Sequence, residues 1–238
     1  MSHKGCGVIW DFDGTLVDSR QKNLSVTRAI IEKFKQQSWE AFPALRNLAN
    51  YEEAHRRAPN WRVFYAESLN MSTDEIDQVG SWWSEFQQSD TSVPKPIDGI
   101  QEVLSALSQF PHGIVSQNCS ANIHSILDLH GLGDVFDSII GYQEVGMEHQ
   151  KPSPKGLMQC IEELNGVEQG SVFFIGDHVT DAICAHQTRD AFIDRGIPIE
   201  VFSIRAAYAP GQFSVWNEQP DFVAHSPDEI VSIVEQHR

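Results

Sequence analysis

The sequence has few of the features that mark disulfide-rich or membrane-spanning proteins. Its four cysteines stand at wide spacings among 238 residues, and no two of them have the spacing of metal ligands. Cysteines so few and so far apart do not form a disulfide framework, so we expect reduced thiols. No apolar run approaches the roughly 20 residues of a membrane span, and residues 1–7 contain no apolar signal core. These absences predict a cytoplasmic protein without a membrane partner.

Basic residues are also scarce. The chain has 17 Lys and Arg against 33 Asp and Glu, a formal net charge of −16. Because nucleic acids and anionic membranes are bound through basic surfaces, we expect neither as a partner. A small anionic substrate stays possible, since the local field of a site can oppose the net charge. With 41% hydrophobic residues, the chain can bury a sizeable core, as a monomer or as a homodimer.

Most of the chain alternates between short apolar runs and amphipathic stretches. A continuous apolar run of four to eight residues is typical of a strand buried on both faces. Strands alternating with helices predict an α/β fold, a doubly wound, Rossmann-like parallel sheet. The predicted strands are residues 7–10, 113–115, 138–141, 171–175, 199–204 and 221–224. The predicted helices between and after them are residues 100–110, 121–130, 154–164 and 180–187, with a last one capped at residue 226.

One long stretch interrupts this alternation directly after the first strand. Val26, Ile30 and Ile31 recur at helical spacing. Trp61, Phe64 and Leu69 repeat this pattern, and a further helix is predicted to start at Ser72. Little alternation of the strand type occurs before Pro94, where a linker is predicted. We therefore predict a helical cap domain, residues 19–92, inserted into a core domain formed by residues 1–18 and 93–238.

Three of the predicted strands run directly into residues that can carry chemistry. Asp11 and Asp13 follow the first strand, Ser116 follows the second, and Asp177 follows the clearest one, with Asp181 four residues on. In an open α/β sheet, ligands bind beyond the carboxyl ends of the strands. Clustered carboxylates repel one another unless a cation joins them, and oxygen ligands with negative charge favour Mg²⁺.

The same residue types suit the transfer of a phosphoryl group. A carboxylate such as Asp11 can act as a nucleophile and form an aspartyl-phosphate. Asp13, two residues away, points the same way and can exchange protons with the leaving group. Lys151, just before a helix, can neutralise charge on the transferring group.

These residues lie in four motifs that together resemble the haloacid dehalogenase-like hydrolase superfamily. Asp-Phe-Asp-Gly-Thr-Leu-Val-Asp-Ser at residues 11–19 resembles its first motif. Ser116 matches the second, Lys151 with the proline after it the third, and residues 176–181 the fourth. The motifs occur in the expected order and cover nearly the whole chain. Within the superfamily, the chain looks like the phosphoglycolate phosphatase and β-phosphoglucomutase-like branch, whose members carry a helical cap.

The resemblance implies a role for each matching residue. Asp11 would be the nucleophile and a Mg²⁺ ligand. Asp13 would be the general acid and base, with its backbone carbonyl on the metal. Asp177 would ligate Mg²⁺ directly, and Asp181 would support the metal site.

The remaining matching residues would hold the phosphoryl group. Ser116 would bind it, Gln117 would add a backbone or side-chain contact, and Lys151 would hold both Asp11 and the group in place. Arg56 and Arg57 in the cap could contact a substrate anion, although a solvated helix face is the ordinary explanation for them. The sequence departs from the family pattern at residues 117–119, Gln-Asn-Cys, where an Asn-Lys type is frequent in phosphoglycolate phosphatases.

Together these features predict a Mg²⁺-dependent phosphatase of a small phosphorylated metabolite. Two alternatives stay open from the sequence. A phosphomutase would use the same residues but return the phosphoryl group to a sugar. A protein that binds a phosphorylated ligand without turnover would keep the fold but not the chemistry.

Overall fold

The computed structural model describes residues 5–58, 60–209 and 216–238. The chain divides into two compact units. The core unit comprises Met1–Asp18 and Lys95–Arg238, and the cap unit comprises Ser19–Pro94. The predicted insertion, residues 19–92, begins at the same residue as the cap unit and ends shortly before it.

The described elements alternate in the core unit and are almost all helical in the cap unit. In chain order the strands are β1 (Gly5–Trp10), β2 (Val17–Asp18), β3 (Lys95–Pro96), β4 (His112–Val115), β5 (Ser138–Ile140), β6 (Gly170–Gly176), β7 (Ile199–Ala206) and β8 (Phe222–Ala224). The helices are α1 (Arg20–Lys35), α2 (Leu48–Arg57), α3 (Trp61–Leu69), α4 (Thr73–Ser89), α5 (Ile100–Ala106), α6 (Ser120–Leu129), α7 (Tyr142–Val145), α8 (Lys155–Glu163), α9 (Val179–Arg195) and α10 (Pro227–His237).

Six of the strands form one sheet in the order β5-β4-β1-β6-β7-β8. Every neighbouring pair in it is parallel. This arrangement confirms the predicted doubly wound, Rossmann-like α/β core. All six strands predicted from apolar runs are present in it, and β1 and β6 lie side by side near its centre.

The central strands are apolar without interruption because both of their faces are buried. Val8 and Trp10 of β1 pack into a hydrophobic cluster with residues of α5, α6 and α10. Ile9, between them, packs into a second cluster with residues of α8 and α9. All three side chains are fully buried. The strand has no alternation of apolar and polar residues because helices cover both faces of the sheet.

Two elements differ from their predicted form. The predicted linker at residues 94–96 is in part strand β3, which pairs antiparallel with β2 through Val17 and Pro96. Helix α9 continues to Arg195 instead of ending near residue 187. Phe192 in its last turns is buried in the core, and Gly196 takes the left-handed conformation that ends a helix. Residues 188–195 therefore continue the predicted helix.

The cap unit is built around its own hydrophobic cluster. Helices α1, α3 and α4 occur where the sequence predicts them, and α2 was not predicted. Ile30 and Phe64 are fully buried in this cluster. Helix α4 begins with a reciprocal capping box, in which Ser72 and Glu75 each accept the backbone N–H of the other. Within the described ranges, none of the helices combines the length and the hydropathy that a membrane crossing needs.

Candidate active site

The parallel sheet brings three chemically active segments to one edge. Strands β4, β1 and β6 are adjacent, and Trp10 of β1 is paired with both Ile114 and Ile175. The backbone N–H of Asp11 donates to the carbonyl of Ile175 at 2.7 Å. The residues after these strands therefore begin at one level of the sheet, as the sequence predicted.

Lys151 forms ion pairs with two of the carboxylates at this edge of the sheet. Its Nζ atom lies 2.7 Å from Oδ1 of Asp11 and 2.7 Å from Oδ1 of Asp181. All three residues are more than nine-tenths buried. Burial alone would lower the pKa of Lys151, but the two carboxylates outweigh it and raise this pKa above its usual range. Lys151 is a fixed positive charge.

Negative charge still exceeds positive charge here. Carboxylate oxygens of Asp11, Asp177 and Asp181 all lie within 4.8 Å of one another. Burial is the main cause that raises the pKa of Asp11 well above its usual range, with Lys151 opposing and the two other carboxylates adding to it. Three oxygen donors with one ammonium have the hardness and net charge that suit Mg²⁺. The residues present therefore fit this metal.

Two glycines let the chain approach the carboxylates closely. Gly14 has a φ of +83°, and a Cβ there would lie 2.8 Å from Cγ of Asp177. A Cβ at Gly176 would overlap the carboxylate of Asp181. Each position leaves room only for hydrogen. The glycines of the first and fourth motifs thus leave the space in which these carboxylates lie against the backbone.

Asp13 lies two residues after Asp11 in the chain but has a different neighbour. Its Oδ2 atom accepts a hydrogen bond from Nδ2 of Asn118 at 2.8 Å. Asn118 is 3% exposed. The two carboxylates that follow β1 therefore stand in different surroundings, Asp11 beside an ammonium group and Asp13 beside an amide.

Ser116 and Gln117 follow β4 as predicted. Ser116 is buried, and its Oγ atom accepts the backbone N–H of Asn118 at 3.1 Å. Nε2 of Gln117 donates to the backbone carbonyl of Lys151 at 2.8 Å. The side chain of Gln117 thus fixes the segment that carries the lysine, and its predicted contact with a phosphoryl group stays a prediction.

Arg56 and Arg57 lie in the last turn of α2, in the cap unit. Both are exposed and both pair with the carboxylate of Glu53. This pairing is what a solvated helix face would show, and a contact with substrate stays a prediction.

Sequence reasoning gave no role to three residues that contact this edge. Asn118 holds Asp13. The hydroxyl of Thr15 donates to Oδ1 of Asp177 over a long 3.4 Å, and the hydroxyl of Tyr208 donates to the backbone carbonyl of Thr15 at 3.2 Å. Asn118 and Thr15 stand within the motifs that the sequence singles out. Tyr208 stands outside them, and no pattern in the sequence marks it.

The family follows from comparison with known proteins. The sequence model of the haloacid dehalogenase-like hydrolases matches residues 8–193, which is more than half of the chain. The chain therefore belongs to the haloacid dehalogenase-like hydrolase family, as its four motifs predicted.

Sequence identity to the individual relatives is low. The chain is 24% identical to the pyrophosphatase PpaX of Listeria innocua, with 98% of both chains covered. It is 24% identical to the phosphoglycolate phosphatase of Aquifex aeolicus, with 97% of each covered. A solved structure from Lactobacillus plantarum matches 98% of this chain and 100% of its own, with a TM-score of 0.71 and 18% identity. That likeness supports the fold alone. With the family match, the relatives identify the chain as a phosphatase of the phosphoglycolate phosphatase-like branch.

Proposed function

We propose that the protein is a Mg²⁺-dependent phosphatase that hydrolyses a small phosphorylated metabolite through an aspartyl-phosphate on Asp11. The observation that carries this proposal is the buried lysine, 2.7 Å from both Asp11 and Asp181. A cluster of three carboxylates, two of them buried, and one buried ammonium group keeps an excess of negative charge. Such a cluster favours a divalent cation, and a cation beside a carboxylate nucleophile is a means of phosphoryl transfer.

Asp11, Asp177 and Asp181 would hold the metal, with the backbone carbonyl of Asp13 as a further oxygen ligand. When bound, Mg²⁺ supplies positive charge against the oxygens of the phosphoryl group. The chain supplies the rest of the positive charge through Lys151, which its two carboxylate partners keep protonated.

The reaction divides between the two carboxylates that follow β1. A carboxylate oxygen of Asp11 attacks phosphorus, and the bond between phosphorus and the leaving oxygen breaks. Asp13 gives its proton to that oxygen, which leaves as an alcohol. Asp13 then takes a proton from a water molecule as the water oxygen attacks phosphorus. The aspartyl-phosphate is hydrolysed, phosphate is released, and both carboxylates return to their starting state.

The substrate class comes from the site and from the relatives together. Ser116, Gln117 and Lys151 would bind the phosphoryl group, which suits any phosphate monoester small enough to enter. Phosphoglycolate and pyrophosphate are the first compounds to test, because relatives of this chain are named for them. All four cysteines are buried as thiols, which supports a reducing, cytoplasmic setting.

Phosphate release from a panel of phosphorylated metabolites tests the proposal. The panel contains phosphoglycolate, pyrophosphate and several sugar phosphates, each with Mg²⁺ and with EDTA. We expect release that requires Mg²⁺ and disappears in Asp11→Asn. Asp228→Asn, which changes an exposed carboxylate in the first turn of α10, is the matched control and should keep full activity.

Other results would favour the alternatives. Full turnover by Asp11→Asn would refute Asp11 as the nucleophile. Isomerised sugar phosphate without free phosphate would favour a phosphomutase. Tight binding of a panel member by the wild type, with neither product, would favour a protein that binds without turnover.

A further inference from the structure

Asn118 is held in one orientation by the chain around it. Its Oδ1 atom accepts the backbone N–H of Cys119 at 2.8 Å and the side-chain amide of Asn122 at 3.2 Å. Its own backbone carbonyl accepts the N–H of Tyr142 at 3.1 Å. Because two donors point at Oδ1, the other end of the amide group must be its NH₂ group. The Asn118 side chain therefore presents a donor, not an acceptor, to its remaining neighbour.

That neighbour is the carboxylate of Asp13. Nδ2 of Asn118 donates to Oδ2 of Asp13 at 2.8 Å, across a separation of 105 residues. Asn118 and Asn122 are both 3% exposed, so water does not compete freely with these bonds. The side chain of an aspartate can in general adopt more than one rotamer. A rigid donor from the segment after β4 selects one of them.

We propose that Asn118 is the positioning residue for Asp13, and that its NH₂ group keeps the Asp13 carboxyl group aimed at the leaving-group oxygen. This inference rests on the proposed function, in which Asp13 moves the proton. Asn118 acts through Asp13 and not on the phosphoryl group. Its effect on the reaction rate should therefore be larger for a leaving group that must be protonated than for one that leaves as an anion.

The test compares two leaving groups in the full-length protein with Mg²⁺. An alkyl phosphate, the best monoester of the metabolite panel, releases a poor leaving group that needs the proton. p-Nitrophenyl phosphate releases a phenolate that leaves without it. For Asn118→Ala we expect kcat/KM to fall about 10- to 100-fold with the alkyl phosphate and to change little with p-nitrophenyl phosphate.

Asn118→Asp separates positioning from local folding. It keeps an oxygen to accept the N–H of Cys119, so a purely structural role predicts near-normal activity. The positioning role predicts the same selective loss as in Asn118→Ala. The oxygen that replaces the NH₂ group repels an ionised Asp13 and, when Asp13 is protonated, accepts the proton that Asp13 must give to the leaving group. Melting temperatures of both variants report whether the fold is intact.

Three outcomes overturn the inference, and they are distinguishable. Equal losses with both substrates, or normal alkyl phosphate turnover by Asn118→Asp, would assign Asn118 to general folding while the wild type still worked. A wild type that releases phosphate from no substrate would refute the proposed function, and the inference with it.

Discussion

From the charges around Asp11 we predict that replacing this residue by Asn makes the folded protein more stable while it abolishes activity. At an effective dielectric constant of 20, two charges 4.8 Å apart interact by about 3.5 kcal/mol. Asp11 meets at least this repulsion from each of two carboxylates, and about 6 kcal/mol of attraction from Lys151 at 2.7 Å. Because these opposing interactions nearly cancel, little offsets the cost of burying the Asp11 charge, which is several kcal/mol.

Replacing Asp11 by Asn removes that charge while Lys151 keeps its contact with Asp181 at 2.7 Å. We expect Asp11→Asn, in EDTA at neutral pH, to be more stable than the wild type by about 1–3 kcal/mol. For a chain of this size this corresponds to about 2–4 °C in melting temperature for each kcal/mol. The variant is at the same time expected to lose phosphatase activity.

The extra stability of Asp11→Asn over the wild type should increase as the pH rises. Burial raises the pKa of Asp11 in the folded state, so the folded protein binds this proton more readily than the unfolded chain. The wild type therefore loses stability as pH rises from about 4, the pKa of an unperturbed Asp, through the raised value. Asp11→Asn has no such loss. The difference between the two proteins should be small at pH 4 and full at high pH.

Thermal unfolding followed by circular dichroism, in EDTA and in Mg²⁺, measures this difference. Asp13→Asn is the matched control, since it makes the same substitution two residues away, beside Asn118 and not Lys151. It should not stabilise the protein. Mg²⁺ should raise the melting temperature of the wild type more than that of Asp11→Asn. If Asp11→Asn were less stable than the wild type in EDTA at every pH, the charge argument would be wrong.

Three further substitutions test other parts of the structure. Gly14→Ala places a Cβ against Asp177 at a φ of +83°; chemical denaturation should show a loss of about 1–2 kcal/mol, and steady-state assays a clear fall in phosphate release. Buried His112 accepts from Nε1 of Trp10 at 3.1 Å, and burial lowers its pKa. The wild type should therefore lose stability below about pH 6.5, and His112→Gln should show a shallower fall between pH 7 and pH 5. Ser72→Ala removes the cap of α4 and should cost about 1 kcal/mol in urea unfolding.

The sequence was sufficient for the core because its patterns had a single physical cause. A continuous apolar run such as residues 171–175 can be satisfied only by burial on both faces, and β6 has both faces buried. Helix α2 was missed because only one of its residues, Tyr51, is buried. Its apolar stripe was too short to give a helical period. The 3-10 turns before it, at Trp39–Ala41 and Pro43–Leu45, further obscured its start.

The site shows the same limit at the level of single side chains. Residue type and order were enough to bring Asp11, Lys151 and Asp181 together, because the segments that follow parallel strands meet at one edge of the sheet. Residue type and order did not show which partner each of the adjacent amides, Gln117 and Asn118, would bind. Gln117 turns to the carbonyl of Lys151 and Asn118 turns to Asp13. That choice depends on which backbone groups surround each side chain. The departure from the family pattern after Ser116 thus supplies two different supports, one for the segment of Lys151 and one for the carboxylate of Asp13, the group that we propose transfers the proton.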